Sequence, residues 1–270
     1  MKKYILTILI STLTISVSCQ TYKTLTDIPY YHEDIRKLDA YISKRCVLDI
    51  YYPQDIKDFP VVIWFHGGGL TGGEKFIPEK LKNKGFCIIA VNYRLFPGVK
   101  CPAYLEDAAT AISWVFNHIR EYGGDSGKIF VSGHSAGAYL TVMTGLDKRW
   151  LQAHQLDADR IAGLFVLSAN AITHMTIREE RGIPNTQPII DEYAALYHVR
   201  PDTPPVFLMT GDRELEMLGR YEENAYLLRM MKIVGNNQTT LYEFDGYGHS
   251  MTKPAFPLMV KHIREICSKK

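Results

Sequence analysis

This sequence predicts a mostly parallel, doubly wound α/β sheet with helices on both faces, and three observations carry the prediction. Short β-rich runs alternate with longer helical patterns along the 270 residues. Several of those runs are apolar throughout, among them Val61-Val62-Ile63-Trp64-Phe65 and Phe86-Cys87-Ile88-Ile89-Ala90-Val91. Strands covered by helices on both faces have this composition because neither face meets water. No repeat, low-complexity block or Pro/Gly/Ser linker interrupts the alternation, and the length suits one large α/β domain.

Strands are expected at about 44–52, 60–65, 86–93, 128–133, 161–167, 205–210 and 239–244. Helices are expected near 75–84, 103–122, 136–146, 220–233 and 253–267. Such an order places ligands in the crevice at the C-terminal ends of the strands. Segment 170–200 breaks the rhythm. It is polar, holds Pro184 and Pro188 and exceeds an ordinary connection, so it reads as a short cap insertion over the site.

With 46% hydrophobic and 22% charged residues, the composition is that of a core-forming chain, not a disordered one. The formal net charge is +2 with Lys and Arg scattered, which argues against nucleic acid as a partner. The N-terminus differs from the rest. Met1-Lys2-Lys3 is a basic start, and Tyr4 to Val17 is apolar and hydroxyl-bearing, too short to span a bilayer. Residues 1–18 therefore read as an export signal. The small residue before Cys19 resembles a bacterial lipobox, which implies a lipidated Cys19 at the head of the mature chain in the cell envelope, with plain secretion as the alternative. Cys87, inside an apolar run, reads as a core thiol. No CxxC or Cys/His spacing suggests a metal, so none is expected.

The strongest chemical signal is Gly133-His134-Ser135-Ala136-Gly137, a G-x-S-x-G between an expected strand and an expected helix. Reversal of a strand into a helix within one residue strains the backbone at Ser135 and needs small neighbours. The serine then stands at a helix N-terminus, where free N–H groups favour developing negative charge. Upstream, Phe65-His66-Gly67-Gly68-Gly69 follows an apolar strand, and its glycines let backbone N–H groups wrap a bound oxyanion.

Together with Asn92-Tyr93-Arg94-Leu95 and Leu48-Asp49-Ile50-Tyr51-Tyr52-Pro53, these motifs resemble the esterase branch of the α/β-hydrolases. That branch includes hormone-sensitive-lipase-like carboxylesterases and bacterial feruloyl- and acetylxylan-esterase-like enzymes. The resemblance runs from about Cys46 to the C-terminus. It implies the α/β-hydrolase fold, an oxyanion hole from Gly67, Gly68 and the N–H of Ala136, and no cofactor. The arm before Cys46 is short for a lipase-like helical cap, which argues against long-chain lipid substrates.

A triad on this fold runs Ser, acid, His along the chain. His249, in the Gly-containing turn after the last expected strand, is the expected base. The acid should follow strand 205–210, where Gly211-Asp212-Arg213-Glu214 offers two carboxylates. In the register of the related sequences Glu214 is favoured over Asp212, and Asp245 reads as a turn former. His174, Arg178, Arg181 and Tyr193 are the expected pocket residues. The expected activity is hydrolysis of short-chain or carbohydrate-linked acyl esters through an acyl-enzyme. The alternatives are a formamidase or exopeptidase-like amidase, and a non-catalytic recognition module.

Overall fold

A computed structural model describes residues 20–217 and 219–269; the expected export signal and Cys19 lie outside the described residues. Eight strands make one sheet in the order β1-β2-β4-β3-β5-β6-β7-β8. They are β1 (Tyr22–Pro29), β2 (Val47–Pro53), β3 (Phe59–Phe65), β4 (Cys87–Val91), β5 (Gly124–His134), β6 (Gly163–Leu167), β7 (Val206–Gly211) and β8 (Thr239–Phe244). The β1–β2 and β2–β4 pairs are antiparallel, and every pairing from β4 onward is parallel. The helices are α1 (Glu33–Leu38), α2 (Ala40–Arg45), α3 (Ala103–His118), α4 (Ala136–Leu146), α5 (Arg149–Gln152), α6 (Met175–Glu180), α7 (Arg220–Ile233) and α8 (Thr252–Ser268).

The apolar runs explain the layering. Along β3, Val61, Ile63 and Phe65 enter one core with residues of α3, α4 and α7, while Val62 and Trp64 enter the other with Phe256, Met259 and Ile263 of α8. Alternate residues of a strand point to opposite faces, so a wholly apolar run supplies both. All eleven residues of α4 are buried. This helix packs so close to β6 that a Cβ at Gly145 would lie 2.3 Å from Leu164 Cδ1. The chain therefore has the doubly wound α/β-hydrolase fold expected from its sequence.

Three local expectations are corrected. The helix expected at 75–84 is only a 3₁₀ turn, Glu79–Leu81. Pro78 lacks an N–H and keeps Ile77 from the helical region, and Lys75 is tied to Asp49 and Asp27. The strand expected from 44 begins at Val47, because Lys44 and Arg45 close α2. Strand β1 was not foreseen: it is an edge strand with mostly exposed or half-buried residues, and its sequence carries little apolar signal. Segment 170–200 is mainly loop, with α6 and a 3₁₀ turn, Ala195–His198.

Candidate active site

Ser135 joins β5 to α4 with φ 56° and ψ −117°, a conformation that non-glycine residues rarely adopt. The turn closes only because its neighbours lack side chains. A Cβ at Gly133 would come within 2.3 Å of the Gly137 carbonyl carbon, and one at Gly137 within 2.1 Å of Phe65 O. The Ser135 N–H donates to Leu167 O at 2.8 Å, fixing the turn to the end of β6. As the first residue of α4, Ala136 carries an N–H with no acceptor within the helix.

The glycine turn after β3 lies directly against this serine. A Cβ at Gly67 would sit 3.3 Å from Ser135 Cβ and 3.1 Å from His134 O. Gly68 has φ 118°, and a Cβ there would collide with Gly72 O at 2.2 Å. The buried imidazole of His66 holds the turn: its Nδ1–H donates to Gly67 O at 2.6 Å, since a carbonyl can only accept. A trans peptide directs its C=O and N–H oppositely, so anchoring Gly67 O turns the Gly68 N–H away from His66. Nε2 of His66 accepts from Arg45 Nη2 at 3.3 Å, which fixes the tautomer. Burial, reinforced by the Arg45 charge, lowers the His66 pKa to about 4, so the ring is neutral at pH 7. Tyr93 stacks on this ring at 4.5 Å and donates its hydroxyl to His66 O at 2.7 Å. The Asn92-Tyr93-Arg94 motif is thus a clamp. Arg94 forks onto the buried Asp107 of α3, and Asn92 bridges Glu74 and Lys75.

His249 follows β8, and its Nδ1–H donates at 2.7 Å to Oε1 of Glu216, not to Glu214 or Asp212. The structure thus brings neither expected carboxylate to the imidazole, but Glu216. After β7 the chain makes a helix-like turn, with Glu216 N donating to Asp212 O at 2.8 Å, which folds Glu216 back under the strand end. There Oε2 accepts from Gly211 N at 3.1 Å and from Ser168 Oγ at 2.9 Å, and Oε1 also accepts from Met217 N at 2.9 Å. Burial alone would raise the Glu216 pKa, but the hydrogen bonds from His249, Met217 and Gly211 outweigh it and hold it at about 2. Glu214 is exposed, while its N–H donates to Asp212 Oδ1 at 2.9 Å. Asp212 Oδ2 accepts from Gly246 N at 2.9 Å, so Asp212 splices the acid loop to the histidine loop. Asp245 is exposed on its turn.

Two contacts at this centre were not read from the sequence. Ser168, at φ 59°, places its hydroxyl 2.9 Å from His249 Nδ1 as well as on Glu216. His134, the variable position of the elbow, donates Nε2–H to His249 O at 2.7 Å and so anchors the histidine loop to the serine turn. No sequence signal marked either, since both act through pairings distant in the chain.

The expected pocket residues divide. His174 is fully buried and caps α6, accepting from Thr176 N. Thr176 Oγ1 donates to Gly69 O, docking the cap insertion on the glycine turn. Arg181 pairs with Asp191 at 2.6 Å and lies over the Tyr193 ring. Arg178 lines a cavity of about 730 Å³ beside Met217 and Asn170. A smaller cavity of about 290 Å³ is lined by Gly67, His134, Trp64 and Phe256.

Residues 48–173, somewhat under half of the chain, match the BD-FAE family model. The chain is 24% identical over 229 residues to esterase LipC of Mycobacterium tuberculosis, covering 75% of this chain and 56% of LipC. It is 30% identical over 175 residues to kynurenine formamidase of Danio rerio, covering 63% and 50%. The chain thus spans about half the length of these two curated relatives. The solved truncated form of a carbohydrate esterase from gut microbiota superposes with a TM-score of 0.73 at 17% identity, covering 94% of this chain and 99% of that one.

Proposed function

We propose that this α/β-hydrolase cleaves carboxylic esters through an acyl-enzyme on Ser135. The observation that carries the reading is the convergence, at the C-terminal ends of the parallel strands, of the strained Ser135 turn, the Gly67–Gly68 turn against it, and the His249–Glu216 pair at 2.7 Å, tied to the Ser135 turn through His134. In this reading His249 takes the Ser135 proton as the hydroxyl attacks the carbonyl, then delivers it to the leaving alcohol. Water repeats the sequence on the acyl-enzyme. Glu216 keeps the imidazole oriented and offsets its charge once protonated; a carboxyl held at about 2 stays ionised for that task. The N–H groups of Gly67, Gly68 and Ala136 receive the oxyanion, each such donor contributing about 100- to 1,000-fold in rate. None of these steps asks for a cofactor.

Short-chain or carbohydrate-linked acyl esters are the proposed substrates. The LipC relative and the carbohydrate esterase fold neighbour support this reading. A second reading, amide cleavage in the manner of a formamidase, is favoured by the likeness to kynurenine formamidase. The site is proposed to work outside the cytoplasm, on a chain exported by residues 1–18 and anchored at Cys19.

Purified protein given 4-nitrophenyl acetate, acetylated xylan, methyl ferulate and N-formylkynurenine tests both readings. Ester cleavage that disappears in Ser135→Ala supports the first. Cleavage of N-formylkynurenine well above every ester replaces it with the second, and ester turnover surviving intact in Ser135→Ala removes Ser135 as nucleophile.

A further inference from the structure

The 730 Å³ cavity has an unusual electrostatic lining. Two lining residues touch the groups around His249: Met217 N donates to Glu216 Oε1 and Arg220 Nη1 to Ser168 O, each at 2.9 Å. Ile172, Met175, Pro188 and Met217 give it apolar walls. Arg178 and Arg220, 4% and 2% exposed, also line it.

Among the described residues neither guanidinium forms an ion pair. The Arg178 partners are carbonyls: Nε donates to Thr173 O at 3.1 Å, and Nη1 to Asn185 O and Gln187 O at 2.8 Å each. Arg220 Nη1 donates to Ser168 O at 2.9 Å. Carbonyls satisfy donors but leave the net charge in place, and burying a charge without a counter-ion is costly. Beyond ion-pair distance, the Glu223 and Glu216 carboxylates still act on the charge of Arg220, so Arg178 is the guanidinium whose partners are all carbonyls and whose charge is open to a ligand. Glu223 accepts from Asn170 Nδ2, Ala171 N and Ile172 N, and Glu222 pairs with Arg213 at 2.7 Å. The fork of a guanidinium matches a carboxylate in shape and charge.

We propose that this cavity is a specificity pocket for a carboxylate carried by the substrate, so that the preferred esters are anionic, with Arg178 supplying the countercharge and the apolar walls holding the intervening carbons. The proposal rests on the esterase reading. The carboxylate belongs either to the acyl part, as in a dicarboxylic half-ester, or to the alcohol part, as in an acylated hydroxy acid or uronic acid.

Two matched substrate pairs separate those sources: the 4-nitrophenyl half-ester of adipic acid against 4-nitrophenyl hexanoate, and 4-acetoxybenzoate against 4-acetoxybenzamide. The expected result is a kcat/KM preference for the anionic member of one pair. Arg178→Met should reduce that preference by about 10- to 100-fold, the scale of a charge-assisted hydrogen bond, while the neutral member changes far less. Arg178 is buried, so Thr186→Glu is the companion variant. It adds a carboxylate to the cavity from an exposed position and should lower the same preference without burying anything new. Equal rates for charged and neutral members in both pairs overturn the proposal and leave the esterase reading intact. So does a preference that Thr186→Glu leaves unchanged. Failure to cleave any ester, 4-nitrophenyl acetate included, removes the esterase reading itself.

Discussion

The hydroxyl of Ser168 stands 2.9 Å from Glu216 Oε2 and 2.9 Å from His249 Nδ1, bridging the carboxylate and the imidazole bonded to it. The position comes from the end of β6, where Ser168 turns into the left-handed region at φ 59° and its N–H donates to Met209 O at 2.7 Å. A bond of this kind contributes about 0.5–1.5 kcal/mol. Ser168→Ala should therefore lower kcat by about 3- to 10-fold with KM little changed, and it should alter the acid limb of the pH–rate profile. An unchanged kcat and profile would reduce Ser168 to a packing residue.

Glu216→Gln should cost around 10⁴-fold in kcat, because the amide cannot stabilise the imidazolium and presents a donor where an acceptor is needed. Glu214→Gln, in solvent, should remain within a few-fold of wild type. Asp212→Asn should be intermediate, through a loosened splice between the two loops. Steady-state kinetics on a short 4-nitrophenyl ester, run on all three variants, checks the order. A large loss in Glu214→Gln beside a near-normal Glu216→Gln would reverse it.

His66 makes stability depend on pH. Burial lowers its pKa from 6.5 to about 4, so the unfolded chain binds a proton that the folded chain refuses. Its contribution is fully present above pH 6.5 and is lost as pH falls through about 4, to a total of about 3 kcal/mol. Urea midpoints between pH 7 and pH 4 should fall less steeply in His66→Gln than in wild type. The same variant frees the Gly67 carbonyl, so its kcat should drop by about 100-fold at pH 7, the scale of one lost oxyanion donor. Parallel urea curves would contradict the first expectation, and wild-type turnover the second.

Cys19 tests the proposed anchor. Expression of the full chain in a bacterial host that processes lipoproteins should put the protein in the membrane fraction, and Cys19→Ala should move it to the soluble envelope fraction. Mass spectrometry finding an unmodified N-terminus beyond Gln20 would remove the anchor and leave plain secretion.

The parts of this protein legible in its sequence are those built from neighbours in the chain. Apolar runs bounded by helical patterns announce a sheet covered on both faces. Ser135 is recognisable because its strain, its flanking glycines and its helix fall within five residues, and the glycine turn after β3 is equally local. His249 follows from chain order and a turn. The cap was visible only as an interruption, and β1 was invisible because an edge strand with little buried surface leaves little apolar pattern. The acid belonged to the tertiary structure. Within Gly211–Met217 every carboxylate lies on one short loop, and spacing from Gly211 points to Glu214. Which of them turns inward depends on the helix-like turn from Asp212 to Glu216, on Asp212 being engaged by Gly246, and on the donors that Gly211, Met217, Ser168 and His249 hold beneath the strand end. That turn buries Glu216 and leaves Leu215 in solvent, because the hydrogen bonds waiting inside accept a carboxylate and no apolar side chain can use them.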